Sequence, residues 1–383
     1  MKIALITPGY PSEANKYNLG FVHTRVKNYQ NNNVSVDVFV TGSDIQKNRI
    51  YEGVEVFHKS LDSIIDQLNK KDYDGVFIHF INDKLAKLLS ENNFNIPFLI
   101  WVHGTEALSF RRRMFNLPSE GIFNFLKYAL WNLKQRFFLN KYIELLIKNK
   151  NIGFIFPSNW MMKIAKKDLY LKFPTYKIIP NPIDNEVFKY IPKENKHRFN
   201  IISIKSFRSY KYGTDILQKI ILKFLEDNRF EKYKHVVSFD IFGDGTLFNK
   251  HTKKIKEKTN VNIHRKFLTH KEMTTEFSKN GIFINTTRQD AQGVTMCEAM
   301  MSGLVVLSSK NTAIPEFIDD KVNGVLCNSI DEFVDELYNL LENPLLFKRI
   351  SNNTHNNLSK RLSIKNVIDE ELDFLNDLIN RKK

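Results

Sequence analysis

Nine short apolar segments recur along this sequence, separated by longer polar stretches. In the first half they are KIALIT (2–7), VSVDVFV (34–40), DGVFIHFI (74–81), FLIWV (98–102) and IGFIFP (152–157). In the second half they are FNIISI (199–204), VVSFDIFG (236–243), GIFINT (281–286) and LVVLSS (304–309). Their apolarity is largely continuous, which predicts strands buried on both faces, as in parallel sheets covered by helices. Two such strand–helix series predict two doubly wound α/β domains. The length of 383 residues suits two domains, and a hydrophobic content of 42% supplies a core for each.

The boundary is expected in IIPNPIDNEVFKYIPKENKHR (178–198), where Pro180 and Pro182 bracket Asn181 and keep it from continuing a helix. This places a first domain at 1–182 and a second at 183–362. The last stretch, 363–383, has helical spacing and is free to pack back on either domain, the first being our assignment. Ligands of open α/β sheets sit beyond the carboxyl ends of the strands, so a cleft between two such domains is the expected site. Cys297 and Cys327 form neither a disulfide framework nor a zinc spacing. The opening MKIALITPGYP has too short an apolar run for a secretory signal, so a cytoplasmic location is expected.

The most informative stretch is RQDAQGVTMCEAMMSGLVVLSS (288–309). A strand is expected to run into a loop, then into a short helix opening after Gly293 and closed by Gly303. The N–H groups of such a helix start, with the positive end of its dipole, suit a phosphate. Glu298, read as lying in the first turn, can accept the two hydroxyls of a ribose, and Asp290 can hold sugar hydroxyls. The plainer alternatives are a Thr295–Glu298 capping box and a turn-forming Asp290.

These residues resemble the donor-binding signature of the retaining nucleotide-sugar glycosyltransferases of family 4: an acid, seven residues, a Glu, with a glycine between and Glu-Ala-Met-x-x-Gly following. Asp290 stands where the family usually has Glu. The resemblance implies the GT-B fold, two Rossmann-like domains facing across a cleft with the donor nucleotide on the C-terminal one. It implies transfer of a sugar from a nucleotide diphosphate sugar to an acceptor hydroxyl with retention, the donor acting as co-substrate and no cofactor being needed. The alternatives from other classes are a nucleotide-sugar epimerase of the same fold and, more remotely, a nucleic-acid binder.

The resemblance also assigns roles along the chain. Lys205 and Lys211, in SIKSFRSYKYGTDIL (203–217), would neutralise the donor's diphosphate. Lys205 replaces the family's Arg, and Arg208 stands close enough in sequence to compensate. Gly243 and Gly245 would allow close backbone approach to the nucleotide, and Phe267 and Leu268 would lie at its base. Gln292, Gly293, Val294 and Thr295 would form the phosphate-facing helix start. In the first half, Gly20 would sit near the phosphates and His103 would face the reacting sugar. Taken without the resemblance, these are loop lysines, a tight turn and a structural histidine. No metal is expected to be needed.

Charge narrows the partners. There are 57 basic against 42 acidic residues, a net +15. Residues 110–150 hold nine Lys or Arg against two Glu, interleaved with aromatics. That composition suits either an anionic membrane surface, which a lipid-linked acceptor would explain, or a core-packing helix pair with a solvated basic rim. No recognition helix, zinc spacing or aromatic sheet motif points to nucleic acid as a partner. Donor base, donor sugar and acceptor linkage are not legible in the sequence.

Overall fold

The computed structural model describes residues 1–13, 15, 18–42 and 48–381. The chain divides into two compact units. One comprises Met1–Arg112, Phe123–Pro182 and Ile364–Lys383; the other comprises Arg113–Ile122 and Ile183–Ser363.

The first unit contains β1 (Lys2–Thr7), β2 (Ser35–Thr41), β3 (Asn48–Tyr51), β4 (Val54–Lys59), β5 (Gly75–His79), β6 (Phe98–Trp101), β7 (Ile152–Phe156) and β8 (Tyr176–Ile178). They form one sheet in the order β3-β4-β2-β1-β5-β6-β7-β8. All neighbours are parallel except the β3–β4 hairpin. Strand order reverses beside β1, so the switch point lies between β1 and β5. The central strands are apolar and buried throughout, as two-sided burial requires.

The C-terminal helix, Ile364–Asn380, packs on this unit through Val367, Ile368, Phe374, Leu375 and Leu378. Gly75 and Gly153 make the seat: an added Cβ would lie 2.6 Å from Leu375 and 2.8 Å from Phe374. Glycine inside a strand commonly marks such a close approach. One buried cluster fixes the helix. The Glu371 carboxylate accepts from Arg25 Nε at 3.0 Å, from Trp101 Nε1 at 3.1 Å and from the Tyr29 hydroxyl. Arg25 also donates to the Asn181 side chain at 3.2 Å, tying in the proline-bracketed segment.

The second unit contains β9 (Asn200–Ile204), β10 (Ser238–Gly243), β11 (Val261–Arg265), β12 (Ile282–Asn285), β13 (Val305–Ser309) and β14 (Val325–Cys327). Its sheet is wholly parallel, in the order β11-β10-β9-β12-β13-β14. This is the doubly wound dinucleotide-binding order, with its switch point between β9 and β12. Both units are therefore Rossmann-like, as the apolar runs predict.

Candidate active site

The second unit concentrates its buried polar groups at the carboxyl ends of the strands around that switch point. Lys205 follows β9, and its ammonium donates to Asn285 Oδ1 at the end of β12. Asn285 Nδ2 donates in turn to Ser308 Oγ, 2.7 Å away on β13. The bonded series crosses the point where strand order reverses. Lys205 is only 9% exposed. Burial, opposed by Asp290 and assisted by Lys211, draws its pKa down to about 8. An ammonium has three donor hydrogens, and Asn285 accepts one of them. Two donors in a dry setting are left for an anion.

Lys211 sits in the short turn Tyr210–Tyr212 just before Gly213. Its backbone carbonyl accepts from Arg288 N at 2.8 Å and from Thr287 Oγ1 at 3.3 Å. Arg288 is itself held by two 2.7 Å bonds to the Asp215 carboxylate. The loop is thus pinned through its backbone, while the Lys211 ammonium makes no ion pair among the described residues. Its charge acts on Lys205, which places the two cations close together.

The helix Val294–Met301 follows Gly293, which has φ +81° and ψ 59°, a left-handed conformation natural to glycine. No side chain caps this helix. The N–H groups of its first turn therefore have no capping side chain among the described residues. Asp290 organises the loop before it: Oδ1 accepts from Gly293 N at 2.9 Å and from Gln292 N at 3.3 Å. Asp290 Oδ2 makes no hydrogen bond among the described residues, and the Asp290 charge favours the ammonium form of Lys205. Val294 is exposed and Thr295 half-exposed, whereas Gln292 is buried and bonds the Cys297 thiol.

Glu298 is the most unusual group here. It is 7% exposed, and its carboxyl has no hydrogen-bond partner among the described residues. Burial alone pushes its pKa up to about 8. Its oxygens are not among the fully enclosed unpartnered atoms, so they remain open to solvent and to a ligand. Glu298 and Asp290 both act on Cys297, which lies between the two acids in the chain. Lys205, Lys211 and Asp290 thus share one neighbourhood, and Glu298 lies one turn along the helix that the Asp290 loop opens. The set suits a polyanion carrying a diol.

Known proteins supply an independent comparison. Residues 198–343 match the family described as glycosyl transferases group 1. That stretch holds all six strands of the second unit's sheet and every group just described. Residues 198–343 are a group 1 glycosyltransferase domain. Two curated relatives are transferases. Poly(ribitol-phosphate) α-N-acetylglucosaminyltransferase of Staphylococcus aureus is 26% identical over 151 residues, 38% of this chain and 30% of its own length. The Escherichia coli UDP-Gal:α-D-GlcNAc-diphosphoundecaprenol α-1,3-galactosyltransferase is 23% identical over 337 residues, 85% of this chain and 80% of its own. Among solved structures, Anabaena HepE in complex with UDP and glucose superposes with a TM-score of 0.68 at 14% identity, covering 98% of this chain and 100% of that one. The fold is of the GT-B type.

Within the group 1 domain, several expectations change. Glu298 is the fifth residue of its helix and lies in the second turn, not the first. The capping-box alternative fails, because Gly293 is the N-cap and Thr295 lies inside the helix. Asp290 does form a turn, but with one carboxylate oxygen only. Gly243 and Gly245 are explained by their own protein: an added Cβ would lie 1.8 Å from the Lys205 carbonyl and 2.4 Å from Arg208 N, respectively. These glycines let β10 pack against the 205–208 loop, and the approaching backbone is the protein's own. The Arg208 guanidinium lies 5.5 Å from the Phe267 ring and acts on Asp244. Phe267 is half-exposed under that guanidinium, and Leu268 is buried.

In the first unit, Gly20 opens the helix Gly20–Asn31, with empty space where a side chain would be. His103 follows β6, held by Glu106, whose carboxylate accepts from His103 N at 2.6 Å and Gly104 N at 3.0 Å. His103 Nε2 lies 2.9 Å from His79 Nδ1 at the end of β5, and Phe80 stacks on its ring at 4.4 Å. Burial, assisted by Arg25, holds the His103 pKa near 3, and burial also drives His79 well down, so both rings are neutral. His79 Nε2 is buried without a partner. A bare acceptor nitrogen costs less there than an orphaned N–H. His79 therefore donates from Nδ1, leaving the proton of His103 on its Nδ1.

Asn285, Ser308, Arg288, Asp215, His79 and Glu106 are the residues the sequence reading passed over. A signal was present for three of them. His79, Asn285 and Ser308 are polar residues ending otherwise apolar strands, the edge where α/β ligands bind.

Proposed function

We propose that this chain is a nucleotide-sugar-dependent glycosyltransferase that moves a sugar, with retention, onto a hydroxyl of a lipid-linked or cell-wall glycan precursor. One observation carries the reading: Glu298, buried and without a hydrogen bond among the described residues, lies on the uncapped helix whose leading loop sets Asp290 near Lys205, within a group 1 match. The relatives' names support the donor and acceptor classes. One is named for UDP-Gal and an undecaprenol diphosphate, another for poly(ribitol-phosphate).

In this reading the diphosphate lies against the amides after Gly293 and the ammonium groups of Lys205 and Lys211, and Glu298 accepts the ribose diol. The sugar C1–O bond to the diphosphate breaks as the acceptor oxygen bonds C1 on the same face. The acceptor's proton passes to the departing phosphate oxygen. A cation ~4 Å from an anion interacts by about 4 kcal/mol at an effective dielectric near 20. Two lysines and a helix start thus offset much of the leaving group's charge, and turnover needs no divalent ion. Asp290, through Oδ2, and His103, through its Nδ1 proton, are assigned to the sugar, and Gly20 to the phosphates. We place the enzyme on the cytoplasmic side, associated peripherally with the membrane through 110–150.

The test is donor turnover with a panel of nucleotide sugars and a polyprenyl-diphosphate-linked acceptor. We expect a product with the anomeric configuration of the donor, undiminished by EDTA. Inversion, or activity lost to EDTA and restored by a metal, would contradict the mechanism. No stabilisation by any nucleotide diphosphate would contradict the function.

A further inference from the structure

The 28-residue helix Ile122–Asn149 is buried along one stripe and apolar along the opposite one. The inner stripe runs through Phe125, Ala129, Asn132, Gln135, Leu139, Ile143 and Leu146. Its polar members fix the rotation of the helix. Asn132 Oδ1 accepts from Phe110 N at 2.8 Å, and its Nδ2 donates to the Leu108 carbonyl at 3.0 Å. With that face locked, the outer face should be polar. It instead presents Phe123 (87% exposed), Leu126, Leu130 (69%), Leu133 and Phe137 (68%), at alternating spacings of three and four residues. The stripe extends roughly 21 Å along the helix at about 1.5 Å per residue.

Lysines accompany it. Lys127, Lys134, Lys141 and Lys148 recur every seven residues and are all exposed, so they run beside the apolar stripe. Glu144 is the one acid of the helix, and it pairs with Lys148 at 3.5 Å. Lys127 and Lys134 have no carboxylate partner among the described residues. Of the neighbouring arginines, Arg112 pairs with Asp168 at 2.6 Å and Arg113 with Glu120. The exposed positive charge of the helix itself thus runs beside the apolar stripe.

Resting on the lipid-linked acceptor reading, we propose that this outer face docks on an anionic bilayer. The helix lies in the headgroup plane, with Phe123, Leu126, Leu130, Leu133 and Phe137 among the acyl chains and Lys127, Lys134 and Lys141 at the phosphates. No helix of the described residues is long and apolar enough to cross a membrane, so this one lies on the surface. A second copy of the chain is the poorer occupant. Stripe-to-stripe packing would bring two lysine rows together with a single acid on each helix. An anionic surface meets both the apolar and the cationic elements at once.

The test is co-sedimentation of the full chain with vesicles of phosphatidylglycerol and phosphatidylcholine, against phosphatidylcholine alone. Trp131, half-exposed on the same helix, reports approach to the bilayer through quenching by brominated acyl chains. We expect binding to anionic vesicles, Trp131 quenching, and a loss on the order of a hundredfold in Phe123→Ser/Leu130→Ser/Phe137→Ser. Lys127→Glu/Lys134→Glu should lose most of the preference for anionic lipid. The substituted side chains are exposed, so thermal stability and its increase with UDP should be kept. Wild-type protein left in the supernatant, or a triple variant that binds equally well, would overturn the proposal. So would a dimer in sedimentation equilibrium that the triple variant dissolves. Vesicle binding without stabilisation by UDP would instead overturn the transferase reading and leave this one standing.

Discussion

Two buried glutamates, one in each unit, show opposite solutions to the same problem. Glu371 is fully buried in the first unit, and three donors from Arg25, Tyr29 and Trp101 surround its carboxylate. Glu298 is nearly as buried in the second unit and has no hydrogen-bond donor among the described residues. Taking a carboxylate from water costs several kcal/mol unless bonds within the protein offset it. The first carboxylate is architecture, because its partners are in the chain. The second keeps a raised pKa, which makes sense if its partners arrive with a ligand.

The widest separation of the two should come from stability. Glu371→Gln leaves the Arg25 guanidinium buried and uncompensated, and we expect roughly 3–5 kcal/mol to be lost in urea unfolding. Glu298→Gln removes a carboxyl that satisfied nothing, and the ligand-free protein should melt at the wild-type temperature or slightly above. Equal losses in the two variants would erase the contrast.

Binding should separate them the other way round. Glu298→Gln is expected to weaken nucleotide diphosphate affinity roughly 10- to 100-fold by calorimetry, the worth of about 1.5–3 kcal/mol for hydrogen bonds to a charged group. Glu371→Gln protein that remains folded should bind normally. An intact affinity in the Glu298 variant would return that residue to the structural class.

The pH dependence sharpens the same point. Glu298 titrates near 8 because burial raises it, so the carboxylate that accepts a diol forms only as pH climbs toward 8. Lys205 titrates near 8 because burial lowers it, so the ammonium that meets the diphosphate is lost above that value. Affinity should peak near pH 8 and fall by up to about tenfold per pH unit on either side. Glu298→Gln should abolish the acid limb and keep the alkaline one. A flat profile between pH 6 and 8 in the wild type would contradict the assignment.

The smallest effect concerns the histidine pair. His79→Phe removes the donor that fixes His103, and we expect about a tenfold loss in kcat/KM with little change in stability. Nitrogen-15 spectra should show His103 protonated on Nδ1 in the wild type and a mixture of tautomers in the variant. Protonation on Nε2 in the wild type would reverse the order of donation.

The fold was largely legible because two-sided burial writes itself into sequence as continuous apolar runs. All nine segments fall on strands of the two sheets. The β3–β4 hairpin escaped, although Glu52 and Gly53, both at positive φ, form the two-residue turn that a hairpin favours. β14 is only three residues long and falls below what a pattern can carry. The candidate site was legible in kind rather than in geometry. Residue types and spacing draw attention to Glu298, but only coordinates show that its carboxyl lacks a partner. Spacing also does not show the neighbours of Arg208 and Gly243, because Phe267 and the Lys205 carbonyl come from elsewhere in the sequence. A pattern lists groups in order along a chain, whereas a binding site depends on which of them the fold leaves unsatisfied.

The most direct measurement is a double comparison by calorimetry, UDP against 2′-deoxy-UDP, on the wild type and on Glu298→Gln. The account predicts that the wild type favours the intact diol by tenfold or more and that the variant does not discriminate. The same discrimination in both proteins would mean that Glu298 does not hold the ribose, and the site would have to be built around some other group.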